Sequence, residues 1–299
     1  MARTRFAADR GLTRRMVLTM FLLGLLYVAF VAVLIALGAR AITVLVIAGG
    51  FLLVQYFFSD RIALYAMGGR EVSPEEAPQL HALIDRLCAM ADMPKPRVAI
   101  AESDVPNAFA TGRDQKHAVV CVTTGLLRRL SAEELEGVLA HEMSHVAHRD
   151  VAVMTIASFL GIVAGLMTRF ALYTGLGRSR DDRGGLPVGL IIMLVSVLVY
   201  AVSFLLTRAL SRYRELAADR AGALLTQRPS ALASALTKVS GDMARIPTED
   251  LRKAEPFNAF YFAPALSPGA SVAALFSTHP PLDRRLDQLA RISAELGRP

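Results

Sequence analysis

Four long uncharged runs, at approximately 16–38, 41–59, 151–168 and 184–207, constrain this chain more than any other feature of it. A helix needs about 20 apolar residues to cross a hydrocarbon core about 30 Å thick, and inside lipid each backbone N–H and C=O has to be satisfied within its own segment. The first run, MVLTMFLLGLLYVAFVAVLIALG, and the fourth, GGLPVGLIIMLVSVLVYAVSFLLT, meet that requirement easily. The second, AITVLVIAGGFLLVQYFFS, is just long enough, and Gly38-Ala39-Arg40 leaves room only for a tight hairpin before it. The third, VAVMTIASFLGIVAGLMT, is short and is ended by Arg169, so it suits either a full crossing or a buried or partly inserted helix. Arg3, Arg5, Arg10, Arg14 and Arg15 stand before the first run as they would before a signal sequence. A signal's apolar region is only about 7–15 residues, however, so this segment reads as an uncleaved span.

Arginines crowd the N-terminus, the segment after the second run, and the segment after the fourth, where Arg208, Arg212, Arg214 and Arg220 lie. By the positive-inside tendency, both termini and the polar bulk face the cytoplasm. The formal net charge of +7 is then explained by arginines flanking a membrane. No module with interleaved aromatic and basic residues accompanies it, so nucleic acid is not an expected partner. Cys88 and Cys121 form no CxxC pair, which excludes a disulfide framework and a thiolate metal site.

About 90 residues of ordinary soluble composition separate the second and third runs. Ser73-Pro74-Glu75-Glu76 carries the signs of a helix start, with Leu80, Leu83, Ile84, Leu87 and Cys88 following at helical spacing. RVAIA (97–101) and HAVVCV (117–122) are short β-branched and aliphatic runs that predict strands. Ser131-Ala132-Glu133-Glu134 opens a further helix that carries Leu135, Val138 and Leu139. After the fourth run a polar helix is expected from Arg208, then loops over 246–270, and a C-terminal amphipathic helix marked by Leu282, Leu286, Leu289, Ile292 and Leu296. The expected organisation is a transmembrane hairpin over 1–60, a first part of the polar domain over 61–150, a hydrophobic helix pair over 151–207, and a second part over 208–299.

The helix opened by Ser131 runs into HEMSH, residues 141–145. Positions i and i+4 lie on one helix face about 6 Å apart, so His141 and His145 can each direct a ring nitrogen at one zinc ion. Glu142 is offset too far to ligate but lies close enough to reach the water that such an ion activates. A bland solvated helix face is the alternative, and six histidines in 299 residues make a chance HExxH uncommon. A catalytic zinc needs a third protein ligand. His148 lies seven residues from His141, about 10 Å along a straight helix, and no glycine breaks the helix between them. It is expected to stand behind the ligands or at the surface. The better candidate is in RELAADRAGA (214–223), where Glu215 offers a carboxylate and, four residues on, Asp219 can accept the N–H of a ligand histidine. One ligand segment leads into a hydrophobic run and the other leaves one, so the hydrophobic pair would bring them together at the membrane surface.

HEMSH, the distant RELAAD segment, PNAFATG (106–112), STHPP (277–281) and the four-run hydropathy together resemble the HtpX family of membrane-bound zinc metalloproteases, related to the Ste24 CaaX proteases. The resemblance covers nearly the whole chain. It implies a mainly α integral membrane protein with about four transmembrane helices and a zincin-like α+β catalytic domain containing a small β-sheet. It implies one Zn2+ per chain held by His141, His145 and Glu215, with Glu142 as general base and Asp219 supporting a ligand histidine. It further implies that Asn107, Ala108, Phe109 and Ala110 form an edge to which an extended peptide can add, and that His279 can donate to the oxyanion of the tetrahedral intermediate. His81 and His117 gain no role and are expected at the surface. The implied activity is endopeptidase cleavage of unfolded, misfolded or damaged membrane proteins at the cytoplasmic face of the inner membrane. A Ste24-type CaaX protease and a non-catalytic zinc-stabilised scaffold or holdase are the competing functions. The few ionisable residues inside the four runs disfavour a transporter.

Overall fold

The computed structural model describes residues 10–36, 41–150, 153–154, 188–243 and 279–297. In chain order these form α1 (Arg10–Ala36), α2 (Ala41–Ala66), β1 (Gly69–Glu71), α3 (Pro78–Ala91), β2 (Arg97–Ala101), β3 (Ala108–Thr111), β4 (Val119–Thr123), α4 (Thr124–Arg129) and α5 (Ala132–Ala147). They continue with α6 (Val188–Thr226), α7 (Pro229–Met243) and α8 (Leu282–Glu295). The described residues of Met1–Leu12, Phe57–Ala152 and Ser211–Pro299 make one compact unit, and those of Thr13–Tyr56 and Val153–Leu210 the other.

Thr13–Ala36, within the second unit, and Leu190–Thr226, which belongs to it as far as Leu210, are long and apolar enough to cross a membrane. Phe30, Leu34 and Val199 are buried together, whereas Val17, Phe21, Val28 and Leu198 stay more than half exposed. Large apolar side chains turned outward along a continuous helix suit lipid as the surrounding solvent. The second apolar run is helical as part of α2, and the third lies outside the described residues apart from Val153 and Met154.

In the first unit the strands form one mixed sheet in the order β1-β2-β4-β3, with β2 and β4 parallel and both outer pairs antiparallel. Val98, Val120 and Val122 point to one face, where Ile84 and Leu87 of α3 and Val138, Leu139 and Met143 of α5 complete the core. Ala99, Ala101, Val119 and Cys121 point to the other and pack with Ala63 at the end of α2. That alternation is the period of two that a strand imposes, and it is why β4, buried at all five positions, reads as a continuous apolar run.

Three local differences from the sequence expectations have physical causes. Ser73 and Glu76 do exchange capping bonds, Ser73 N to Glu76 Oε2 at 2.8 Å and Glu76 N to Ser73 Oγ at 3.4 Å. They close an isolated turn, because Pro78 disfavours helical backbone at Ala77 (φ −138°, ψ 60°), and α3 begins at the proline itself. The predicted strand over 117–122 starts only at Val119, since Asp114 accepts from the amides of Lys116 and His117 and winds Gln115–His117 into a short 3-10 turn. His81, expected at the surface, is buried, with Nε2 3.0 Å from the Val72 carbonyl; its place in α3 faces the core. His117 is half-exposed beside Asp114. The loops expected over 246–270 and the hairpin at 38–40 lie outside the described residues.

Candidate metal centre

Helix α5 begins with a complete capping box: Ser131 accepts from the Glu134 amide, and the Glu134 side chain accepts from the Ser131 amide. Glu134 is tied further by Ser234 Oγ at 2.6 Å and Lys238 Nζ at 2.8 Å, both on α7. Every residue from Glu134 to Val146 is buried, so this is a helix packed on all sides rather than an amphipathic surface helix. Two glycines allow the enclosure. A Cβ on Gly137 would meet the backbone of Leu232 at 3.3 Å, and one on Gly222 of α6 would meet His141 N at 3.0 Å and His141 Cα at 3.2 Å.

This close approach sets Glu215 of α6 opposite the two histidines of α5. His141 Nε2 and His145 Nε2 are 3.3 Å apart, Glu215 Oε2 is 3.6 Å from the first, and Glu215 Oε1 is 3.4 Å from the second. These ligand atoms form a group that could hold one metal ion. Corners of a tetrahedron centred on an ion with N and O ligands at 2.0–2.2 Å are about 3.3–3.6 Å apart, so each separation is of the size such an ion spans, with one Glu215 oxygen facing each ring. Two ring nitrogens facing each other at this distance also require a proton or a cation between them.

The surrounding charges fit a dication as well. Glu142, Asp150, Glu215 and Asp219 are buried, and so are Arg214 and Arg285. With all four carboxylates ionised, the two guanidinium groups leave two negative charges, a balance that neutral imidazoles and one divalent ion complete. Buried charge persists only when it is paired in this way.

Each of these three residues has a partner behind it. Asp219 Oδ1 lies 2.9 Å from His141 Nδ1, and both Asp219 oxygens are gripped at 2.7 Å by Arg285 Nε and Nη2. Asp150 Oδ2 lies 2.6 Å from His145 Nδ1. His279 Nδ1 lies 3.0 Å from Glu215 Oε2. Burial opposes the charged form of His145, but Asp150 and then Glu215 outweigh it and hold the imidazole up at about 10. Burial likewise opposes an imidazolium at His141, and its acidic neighbours Asp219 and Glu215 raise it nonetheless. The Glu142 carboxyl is raised chiefly by burial, partly offset by the two histidines.

Glu142 is next to His141, and its Oε2 accepts from the Ala110 amide of β3 at 3.0 Å. β3 is the last strand of the sheet. Asn107 pairs with Thr123, its N donating to Thr123 Oγ1 at 2.8 Å and its O accepting from Thr123 N at 2.9 Å. By strand alternation Ala108 and Ala110 turn their main-chain groups to the other edge. Asn107, Ala108 and Phe109 are buried and Ala110 is half-buried, so any contact of this segment with a peptide is through backbone. His148 caps the end of α5, with Nδ1 2.8 Å from the Ser144 carbonyl, and is not among the converging ligand atoms. Sequence reasoning overlooked Asp150, Arg214 and Arg285. Arg285 had a legible signal, because it falls in phase with Leu282, Leu289 and Ile292 on the buried stripe of α8.

Comparisons with known proteins agree with one another. The model of Peptidase family M48 matches residues 74–293. A Protease HtpX homolog 1 of Streptomyces coelicolor is 65% identical over 294 residues, 98% of this chain and 97% of that one. A Protease HtpX homolog of Moorella thermoacetica is 54% identical over 298 residues, 98% of each chain. Among solved structures, the crystal structure of S. mikatae Ste24p is similar in fold, with a TM-score of 0.52 at 17% identity; the match covers 89% of this chain and 62% of that longer one.

Proposed function

The chain belongs to peptidase family M48 and is a metalloprotease, and from that premise we propose that it is a zinc-dependent endopeptidase of the inner membrane, acting on misfolded or damaged membrane proteins at the cytoplasmic face. The observation that carries the reading is the convergence of His141, His145 and Glu215 with the carboxylate of Glu142 beside them. Two imidazoles, one carboxylate and no thiolate make a donor set that zinc accepts, with a fourth position left for the reaction. When bound, zinc lowers the pKa of a water and polarises the scissile carbonyl.

Glu142 then serves as general base, taking the water's proton and delivering it to the leaving amine. Its raised carboxyl pKa brings it closer to the pH at which such a group both accepts and returns a proton. Asp219 and Arg285 hold the His141 ring, and His279 lies against Glu215 through Nδ1; donation from His279 to the oxyanion would need a proton on Nε2 as well. An extended substrate would lie along β3; because the Ala110 amide already donates to Glu142, the Ala110 carbonyl is its main-chain partner there, and this would set the scissile bond beside Glu142.

In this reading residues 61–150 and 208–299 are two parts of one catalytic domain, four segments cross the bilayer, and both termini are cytoplasmic. A CaaX-type activity ranks second, since the likeness to Ste24p concerns fold. A scaffold without turnover gives no use to Glu142. The test compares zinc-loaded protein with Glu142→Gln in detergent on an unfolded model protein. The variant should keep its zinc and lose cleavage, with new N-termini in the digest only for the unaltered enzyme. Equal cleavage by both would remove this mechanism.

A further inference from the structure

Asp150 lies just beyond the end of α5, and the chain goes out of its way to bring it back. The helix ends at Ala147; His148 N bonds to Ser144 O at 3.0 Å and Arg149 N to Val146 O at 3.2 Å. Arg149 then adopts φ 56°, a left-handed conformation that non-glycine residues seldom take. The turn it makes returns Asp150 to the side of His145. Asp150 is 2% exposed, and an ionised carboxylate is tolerated there only if other groups hold it. One of its oxygens, Oδ2, is hydrogen-bonded to His145 Nδ1 at 2.6 Å and ion-paired with Arg214 Nε at 3.0 Å. The other, Oδ1, has no hydrogen-bond partner among the described residues. The whole polar commitment of this side chain is therefore to the ring of one candidate ligand and to the residue that immediately precedes another, Glu215.

We infer that Asp150 is the positioning residue of His145: it accepts a hydrogen bond from Nδ1–H, so that the Nε2 lone pair faces His141 and Glu215, and Arg214 holds it in place. An imidazole that donates from Nδ1 to a carboxylate is confined to one tautomer and one ring orientation, and becomes a better donor to a cation at Nε2. Asp219 Oδ1 lies 2.9 Å from His141 Nδ1 as an ion-pair contact, so each of the two rings faces its own carboxylate, and each carboxylate has its own arginine. Arg214 belongs to α6, as Glu215 does, and the chain His145–Asp150–Arg214 links the ligand helix α5 to α6 independently of any ion.

This inference rests on the metal-centre reading above, and its test separates the two. Asp150→Ala leaves Arg214 buried and unpaired, so it is accompanied by Asp150→Leu/Arg214→Met, which removes both charges. Zinc affinity is measured by chelator competition, the cobalt-loaded form by its absorption spectrum, and folding by the melting temperature of the metal-free protein. Both variants should bind metal about 10–100-fold more weakly with an altered cobalt spectrum, while the double variant regains the melting temperature that Asp150→Ala loses. Undiminished affinity and an unchanged spectrum in the double variant would show that Asp150 is only the counterion of Arg214. Nitrogen NMR of the zinc-loaded, unaltered protein decides the matter even if both variants fail to fold. The His145 proton is expected on Nδ1, and a proton on Nε2 overturns the assignment. Failure of the unaltered protein to take up metal would sink the metal centre itself.

Discussion

Gly222 offers the sharpest test of how the ligand cluster is assembled. In a helix interior, glycine to alanine stabilises by about 1 kcal/mol when the new methyl meets nothing, because the unfolded chain loses freedom and the helix gains propensity. At Gly222 the methyl would stand 3.0 Å from His141 N, 3.2 Å from His141 Cα and 3.3 Å from Ala140 C. Carbon contacts are comfortable only from about 3.5 Å, so α6 would have to retreat by a few tenths of an ångström. None of the three atoms is a mobile side-chain end. Overpacking of this kind costs about 1–3 kcal/mol, which leaves Gly222→Ala destabilised by about 0–2 kcal/mol once the propensity gain is set against it. The effect on metal should exceed the effect on folding. The His141–His145 edge lies within α5 and is unaffected, whereas the 3.4 and 3.6 Å edges to Glu215 cross the interface that has been pushed apart. Sites of this type tolerate displacements of only about 0.5 Å, and a tenfold loss of affinity corresponds to about 1.4 kcal/mol. Gly241→Ala is the control, since a Cβ there meets nothing within 4 Å; it should raise the melting temperature and leave metal affinity alone. If Gly222→Ala melts at or above the unaltered protein and binds zinc equally well in chelator competition, the close approach of α6 does not set the ligand spacing.

Glu134→Ala should cost about 1–3 kcal/mol in denaturant melts at neutral pH, because it strands Ser131, Ser234 and Lys238 at the start of α5. Burial opposes ionisation of Glu134, but Lys238, Ser234 and the Ser131 amide together lower its pKa from 4.5 to about 2; its contribution is thus complete above about pH 4.5 and lost as pH falls toward about 2, and the variant should show less acid dependence across that window. Zinc affinity should rise with pH well above the ordinary histidine range. Against the opposing effect of burial, His145 is held up at about 10 by Asp150 and Glu215, so metal displaces a proton from that ring, giving about tenfold per pH unit in competition titrations. A flat profile between neutral pH and 9 would contradict that direction.

The parts of the site that were legible in the sequence are those governed by helical period. His141 and His145 four apart, and Glu215 and Asp219 four apart, can be placed on common faces without knowing any tertiary contact. Their meeting depends on Gly222 and Gly137, whose absence of a side chain acquires meaning only once the neighbouring helix is known. Asp150 was hidden for a different reason. Its position follows from a left-handed Arg149, and nothing in the arginine side chain signals that backbone, as a glycine there would have. The sheet was half legible: β2 and β4 are continuous apolar strands, but β1 is three residues long and β3 is four, too short for alternation to stand out.

The order of the ligands along the chain has a consequence for when the site can exist. Asp219 is buried with both oxygens on Arg285, and Glu215 has His279 against it, yet these partners come 66 and 64 residues later. Until α8 docks, Asp219 lacks the Arg285 guanidinium that holds both its oxygens, and burying that carboxylate beside Glu215 in that condition is costly. The last element of the chain therefore contributes more than apolar packing through Leu289 and Ile292; it supplies the charge that lets the acidic ligand and its neighbour be buried at all. On the proposed reading, hydrolytic competence would depend on the docking of α8. A chain whose C-terminal helix has not yet packed holds HEMSH but lacks the electrostatic frame that would keep a cation there.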